Sequence, residues 1–303
     1  MRRYAPALLT ALLAACGGSE PAPDPGPGRL IFTRIGNGLF DIYAMDLNGH
    51  NLDQLTTSFA FEDWASWSPD TFKILFQSDR IPDTTYTARF QIYVMNSDGS
   101  NVVQLTVPNA TLDGTGHVAD TTSNFHPAWS PDGTKIAFAS TRDTTAQIFV
   151  MDPNGANVTR LTFDGADDAQ PAWSPDGMKI AFATNRDGND EIYVMAPNGT
   201  PQTNLTNNAA SDLAPAWSPN GTKIAFQSDR ETNYAVWVMN ADGSNPVRLT
   251  DPGSGAPSWS PDGTRIAYEQ DGDLWVMNAD GTNKIRITSG FWNDGLPRWR
   301  PIL

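Results

Sequence analysis

Six copies of one short pattern decide what this chain can fold into. Trp-Ser-Pro begins at Trp67, Trp129, Trp173, Trp217 and Trp259, and Trp299-Arg300-Pro301 is a sixth, altered copy. The intervals between them are 62, 44, 44, 42 and 40 residues. A run such as Lys135-Ile136-Ala137-Phe138 follows each of the first five, and a third run ends at Met45, Met95, Met151, Met195, Met239 and Met277. A turn with Asn-Gly or Asp-Gly comes next, as at Asp98-Gly99 and Asp242-Gly243. The unit closes on Leu-Thr or Ile-Thr, at Thr56, Thr106, Thr162, Thr206, Thr250 and Thr288. A repeat near forty residues is one supersecondary unit, which buries its apolar face only against neighbouring copies.

Each unit reads as four short strands, A to D. A carries the Trp, B is Lys-Ile-Ala-Phe, C is Ile-Tyr-Val-Met and D ends in Leu-Thr. Short runs of β-branched and aromatic residues, bounded by Gly, Asp and Pro, are strand signals. Pro-Asp-Gly suits tight turns, because Pro fixes φ and Gly accepts positive φ. Arg29-Leu30-Ile31-Phe32 aligns with B, so the chain enters its first unit one strand late; Pro297 to Pro301 aligns with A. The expected fold is all-β: a six-bladed β-propeller of four-stranded antiparallel blades over residues 29–303. The C-terminal innermost strand joins the N-terminal strands and closes the ring, leaving no bare strand edge.

The pattern Trp-Ser-Pro-Asp-Gly-x-Lys-Ile-Ala-Phe, then Ser-x-Arg, Ile-Tyr-Val-Met and Asp-Gly, resembles the PD40 (WD40-like) repeats of TolB-type propellers. The resemblance covers residues 29–303 and implies the architecture. The α/β domain that precedes the propeller in TolB has no counterpart in this sequence.

Residues 1–28 read as an address. Arg2 and Arg3 precede an apolar stretch from Tyr4, and Leu13-Ala14-Ala15-Cys16 places small residues before the sole cysteine. This is the order of a secretory signal, and the stretch is too short to span a bilayer. The four residues resemble a bacterial lipobox, so residues 1–15 are expected to be a lipoprotein signal peptide and Cys16 the lipidation site. The Gly/Pro-rich stretch 16–28 reads as a tether. By the same resemblance, Gly17 after the cysteine implies the outer membrane, on its periplasmic or surface side. The lipid would be the only membrane attachment.

The net charge is −14, with a pI near 4.4. Such a surface does not neutralise phosphates, which excludes a general nucleic-acid binder. The repeated Trp and Met residues are expected to pack between blades. Arg34, Arg80, Arg142, Arg186 and Arg230 each follow a B strand, which points to a repeated structural bond. The Asp residues of Ser-Pro-Asp-Gly read as turn residues.

Function is expected where the units differ. The long first interval comes from a lengthened B–C connection (residues 81–90) and a lengthened D–A connection (107–118). In an antiparallel blade, B–C and D–A loops share one face of the ring. Long loops on a rigid scaffold are where binding resides. The candidate binding face is therefore Asp63, Tyr86, Arg89, Phe90, His117, His126, Asp168, Gln170 and Asp212. Its acidic character suits a basic protein or peptide of the cell envelope, bound by a monomer. No cofactor, metal ligand set or catalytic residue is assigned, although a carboxylate-rich divalent-cation site is chemically allowed. Two alternatives follow from the residues and from resemblance. Tyr86, Phe90, Trp64 and Trp292 lie outside the repeat consensus and would serve a carbohydrate-binding propeller. The resemblance to oligogalacturonate lyases, whose propellers hold a metal, implies a site of which His126 and Gln170, with Asp63, would supply part. The hydrolase domain of prolyl oligopeptidases has no counterpart.

Overall fold

The computed structural model describes residues 28–36, 38–80, 89–107 and 122–302. Among them, every regular element is a β-strand, and the strands form six four-stranded antiparallel sheets. The N-terminal blade combines β1 (Arg29–Gly36), β2 (Leu39–Asp46) and β3 (Asp53–Gln54) with the last strand, β24 (Asn293–Trp299). Leu30 pairs with Trp299 and Ile31 with Arg298. The five remaining blades each run A to D in chain order, from β4 (Glu62–Trp67) to β23 (Ile285–Arg286). The A strands are β4, β8 (Asn124–Trp129), β12 (Asp168–Trp173), β16 (Asp212–Trp217), β20 (Ser254–Trp259) and β24. Each contacts the next, and β24 contacts β4, so they form the closed inner wall of the ring.

The core lies between blades, which is why one unit cannot fold alone. Trp299 packs with Leu30, Phe32, Met45 and Leu47 of its own blade and with Ala267, Leu274 and Val276 of the preceding one. Trp259 packs likewise against Ala225, Val236 and Val238. The indole N–H groups of Trp217, Trp259 and Trp299 each donate 3.1 Å to an A-strand carbonyl of the preceding blade: Ala172, Ala216 and Ser258. The repeated Met residues, such as Met95 and Met239, are buried in the same clusters.

The D strands are shorter than the sequence pattern suggests. They span two or three residues and stop before Leu-Thr. The threonine side chain does the work that a further ladder bond would do. In all six blades its hydroxyl accepts the first C-strand N–H of the apolar run at 2.8–3.0 Å, as Thr106 does from Ile92 and Thr288 from Leu274. A hydroxyl can accept this bond and still donate another. Thr106, for example, donates to Gln91.

The face bearing the A–B and C–D turns is built the same way in unit after unit. Five A–B turns hold a serine hydroxyl on an Asp or Asn carboxyl or amide oxygen two residues on, as Ser130 does on Asp132 at 2.6 Å. In the C–D turn, Gly199 has φ +87°, and a Cβ there would meet the Leu161 carbonyl oxygen of the preceding blade at 2.4 Å. The repeated Gly is thus an inter-blade contact as well as a turn residue.

Candidate functional site

The opposite end of the ring, with the B–C and D–A loops, rests on a recurring arginine contact, an ion pair to a buried carboxylate in four of the six blades. Four of the five arginines after B strands pair with a buried carboxylate at the start of an A strand. Arg34 pairs with Asp294 at 2.6 Å, Arg186 with Asp168 at 3.1 Å, Arg230 with Asp212 at 2.8 Å, and Arg80 with Glu62. In the fifth, Arg142 donates to Asn124 at 3.2 Å. Each guanidinium also lies over two aromatic rings of its blade, with centroids 4.5–5.8 Å away. Planar, weakly hydrated guanidinium suits this combination of stacking and pairing. The blade containing β20 has Ser254 where Asp212 stands in its neighbour and Gly272 where Arg230 stands, and lacks the pair.

This arrangement revises two expected rim residues. Asp168 and Asp212 are fully buried and held by Arg186 and Arg230, so they present no carboxylate to a ligand. Burial pushes the Asp168 carboxyl up, against the opposing effects of Thr184, Thr162 and Arg186.

His126 and Gln170 also lie elsewhere than the loop reading implies. They line the central channel, on the inner strands. Each A strand carries a bulge whose third residue adopts the left-handed conformation: Trp64, His126, Gln170, Ala214, Ala256 and Leu296 have φ of 49–55°. Such bulges re-aim side chains and leave an N–H outside the ladder. The preceding blade supplies the missing acceptor. His126 donates to Gln77 and Ala214 to Gln170, both at 2.7 Å, and Ala256 donates to Gln227 at 3.0 Å; Leu296 donates to Glu269.

The channel encloses a cavity of about 190 Å³ walled by Trp64, His126, Gln170, Arg298 and a band of prolines that includes Pro171 and Pro215. The Trp64 and His126 rings sit 4.1 Å apart, and Phe125 lies edge-on to His126 at 4.8 Å. Burial, with Arg298 nearby, lowers the His126 pKa to about 3, so the ring is neutral. Its Nδ1 is buried without a partner among the described residues. Asp63 points away toward Gln77; burial, with Asp79 adding, raises its carboxyl to about 7. The metal-site alternative gains no donor set from these positions. Gln170 Oε1 is engaged by Ala214, and no group of three or more His, Cys, Asp or Glu gathers among the described residues.

Arg89 and Phe90 are half-buried at the entry to β6 (Gln91–Asn96), where the Phe90 carbonyl accepts the Asn124 N–H of the next blade at 2.8 Å. Cys16, the signal and tether segments, Tyr86, His117 and most of both insertions lie outside the described residues.

The loop end carries a feature that the motif reading did not assemble. Of seven exposed aromatic side chains among the described residues, Phe59, Phe61, Phe163, Tyr234, Phe291 and Trp292 are in B–C or D–A connections, and only Phe72 is on the other face. Five aromatics form a stripe around the closing blade. The Trp292 indole lies against Gly36, Ile35 pairs with Phe40, and Phe40 meets Phe61 at 5.1 Å. Phe59 and Phe291 extend the stripe at both ends, each almost fully exposed. Phe59, Phe61 and Phe291 lie in loops of ordinary length, so a search for insertions passes over them.

Residues 166–255 match the family described as PD40, TolB beta propeller domain. Over these residues the chain is similar to TolB-type PD40-repeat propellers. It is 34% identical over 145 residues to an uncharacterized protein of Agrobacterium fabrum, covering 45% of this chain and 43% of that protein. It is 31% identical over 155 residues to a TolB homologue of Chlorobium luteolum, covering 41% and 34%. These matches span less than half the length of either relative. The TolB-like fold superposes on TolB from Acinetobacter baumannii with a TM-score of 0.75 and 23% identity, over 91% of this chain and 67% of that one. It also resembles an oligogalacturonate lyase from Vibrio parahaemolyticus, with a TM-score of 0.56 and 14% identity over 86% and 74%. At these identities the structures share a fold.

Proposed function

We propose that this TolB-like propeller is a non-catalytic binding module of the cell envelope. It is anchored by lipid at Cys16, acts as a monomer, and engages a protein or peptide on its B–C/D–A face. The observation that carries this reading is the aromatic stripe from Phe291 to Phe59. Apolar rings left in water on one face, above a rigid scaffold of recurring arginine contacts, are what a protein interface buries. The acidic loops around it suit a basic partner.

The test uses the full lipidated protein. Captured from detergent-solubilised envelope, the wild type and a Phe72→Ser/Met178→Ser control on the other face should recover the same partner, and Phe59→Ser/Phe291→Ser should lose it. Equal recovery by both double variants rejects the assigned face. Cys16→Ser should move the protein from the membrane to the soluble fraction; retention in the membrane rejects the anchor.

A further inference from the structure

One inner strand breaks the sixfold pattern of the channel. The residue before each repeated Trp is Ser66, Ala128, Ala172, Ala216 or Ser258 in five blades and Arg298 in the closing blade. Small side chains leave the channel open, whereas Arg298 projects a guanidinium into it. Among the residues lining the cavity it is the only charged one, and none is Asp or Glu.

Among the described residues the cation has no counter-charge. Its one protein hydrogen bond among the described residues goes to its own neighbour, the Pro297 carbonyl, at 2.9 Å. The guanidinium lies 5.5 Å from the Trp64 ring centroid, and that ring leads on to His126. Every B-strand arginine that pairs with a carboxylate in this protein is satisfied where it sits; Arg298 is surrounded by Trp, His, Pro and Ser. Burial alone lowers its pKa to about 10, which leaves it charged at neutral pH. A cation removed from water without a partner is costly, and a guanidinium fork matches a carboxylate in two parallel bonds.

The geometry points to an anion site in the channel, in which Arg298 takes a carboxylate and Trp64 and His126 form the wall beside it. The His126 Nδ1, buried without a partner among the described residues, is a further polar atom for the ligand. The cavity has room for roughly six waters at ~30 Å³ each, which suits a small organic acid or the last residue of a peptide. Both present the same group. This site shares no residue with the aromatic stripe, and its success or failure is independent of the partner proposed above.

Isothermal titration of the whole protein with acetate, N-acetylglycine and N-acetylglycinamide tests the site without any variant. The two acids should bind and the amide should bind at least about tenfold more weakly. A tighter N-acetylglycine than acetate identifies a peptide C-terminus as the source; equal affinity identifies a free acid. Arg298→Met should abolish acid binding while keeping the fold, since it removes an unpaired buried charge. Arg298→Lys should retain part of it, as a point charge without the fork. Phe59→Ser/Phe291→Ser should bind the acids like the wild type. Equal binding of acid and amide, unchanged acid binding by Arg298→Met, or no acid binding at tens of millimolar overturns the assignment.

Discussion

The two faces of the ring are made by different rules. On the A–B/C–D face, the same serine-to-carboxyl bond and the same close-packed glycine recur from blade to blade. On the B–C/D–A face the loops differ in length and composition, and six of the seven exposed aromatics among the described residues are there. The variable face still has a recurrent foundation, the arginine contacts that five of the six blades place just beneath it. Variation is therefore confined to a layer that the fold does not need. Sequence repetition marks what holds the ring together, and its interruption marks surface that is free to bind.

The sharpest test of that division is to remove part of the foundation. Arg230→Ala leaves the buried Asp212 carboxylate without its counter-charge, with the Asn208 amide still donating to it at 2.6 Å, and should cost about 3–5 kcal/mol of unfolding free energy in denaturant titration. A loss under about 1 kcal/mol would show that the pair behaves as an exposed one. On the uniform face, Gly199→Ala forces a side chain into positive φ and toward the Leu161 carbonyl, for a cost of about 1–3 kcal/mol. A neutral result would separate that glycine from the contact between blades.

The inner strands add a pH signature with two opposing slopes. The Asp63 pKa is raised from 3.8 to about 7, so its contribution is full below pH 3.8 and is lost as pH rises through 7. The His126 pKa is lowered from 6.5 to about 3, so its contribution is full above pH 6.5 and is lost as pH falls toward 3. Each swing is on the order of 1–2 kcal/mol after allowing for partial contact with solvent. Melting profiles should lose the first slope in Asp63→Asn and the second in His126→Gln; identical profiles in wild type and variants would reject both burial assignments. At the small end, Phe59→Ser/Phe291→Ser should change stability by no more than about 0.5 kcal/mol. A larger loss would mean that the aromatic stripe belongs to the scaffold after all.

The ring was legible because its units repeat. Trp67 through Trp299 fixed the phase of the A strands, and Arg29–Phe32 at one end with Pro297–Pro301 at the other fixed the closure. The arginines were legible as structural, although their partners were not, since Glu62, Asp168 and Asp212 look like loop acids when the A strand is judged to start nearer its Trp. The bulge was invisible for a related reason. Trp64, His126, Gln170, Ala214, Ala256 and Leu296 share a backbone conformation and no side-chain chemistry, and none is Gly. His126 and Gln170 therefore read as rim residues when they belong to the channel. Arg298 stood in plain view as a departure from Ser or Ala, but its meaning depends on six strands meeting around one axis. The aromatic stripe has the same character: Phe40, Phe61 and Trp292 are far apart in sequence and adjacent only once the ring closes.

The pairing of Leu30 with Trp299 has a consequence for how the molecule comes into being. During synthesis, the first strand must wait with one edge unzipped until its mate, 269 positions later (299 − 30), has been added. At roughly 5–20 residues per second that wait is on the order of tens of seconds. A chain truncated by a dozen residues would never lose that sticky edge. Quality control of this protein then reduces to a single question, whether its tail has found its head.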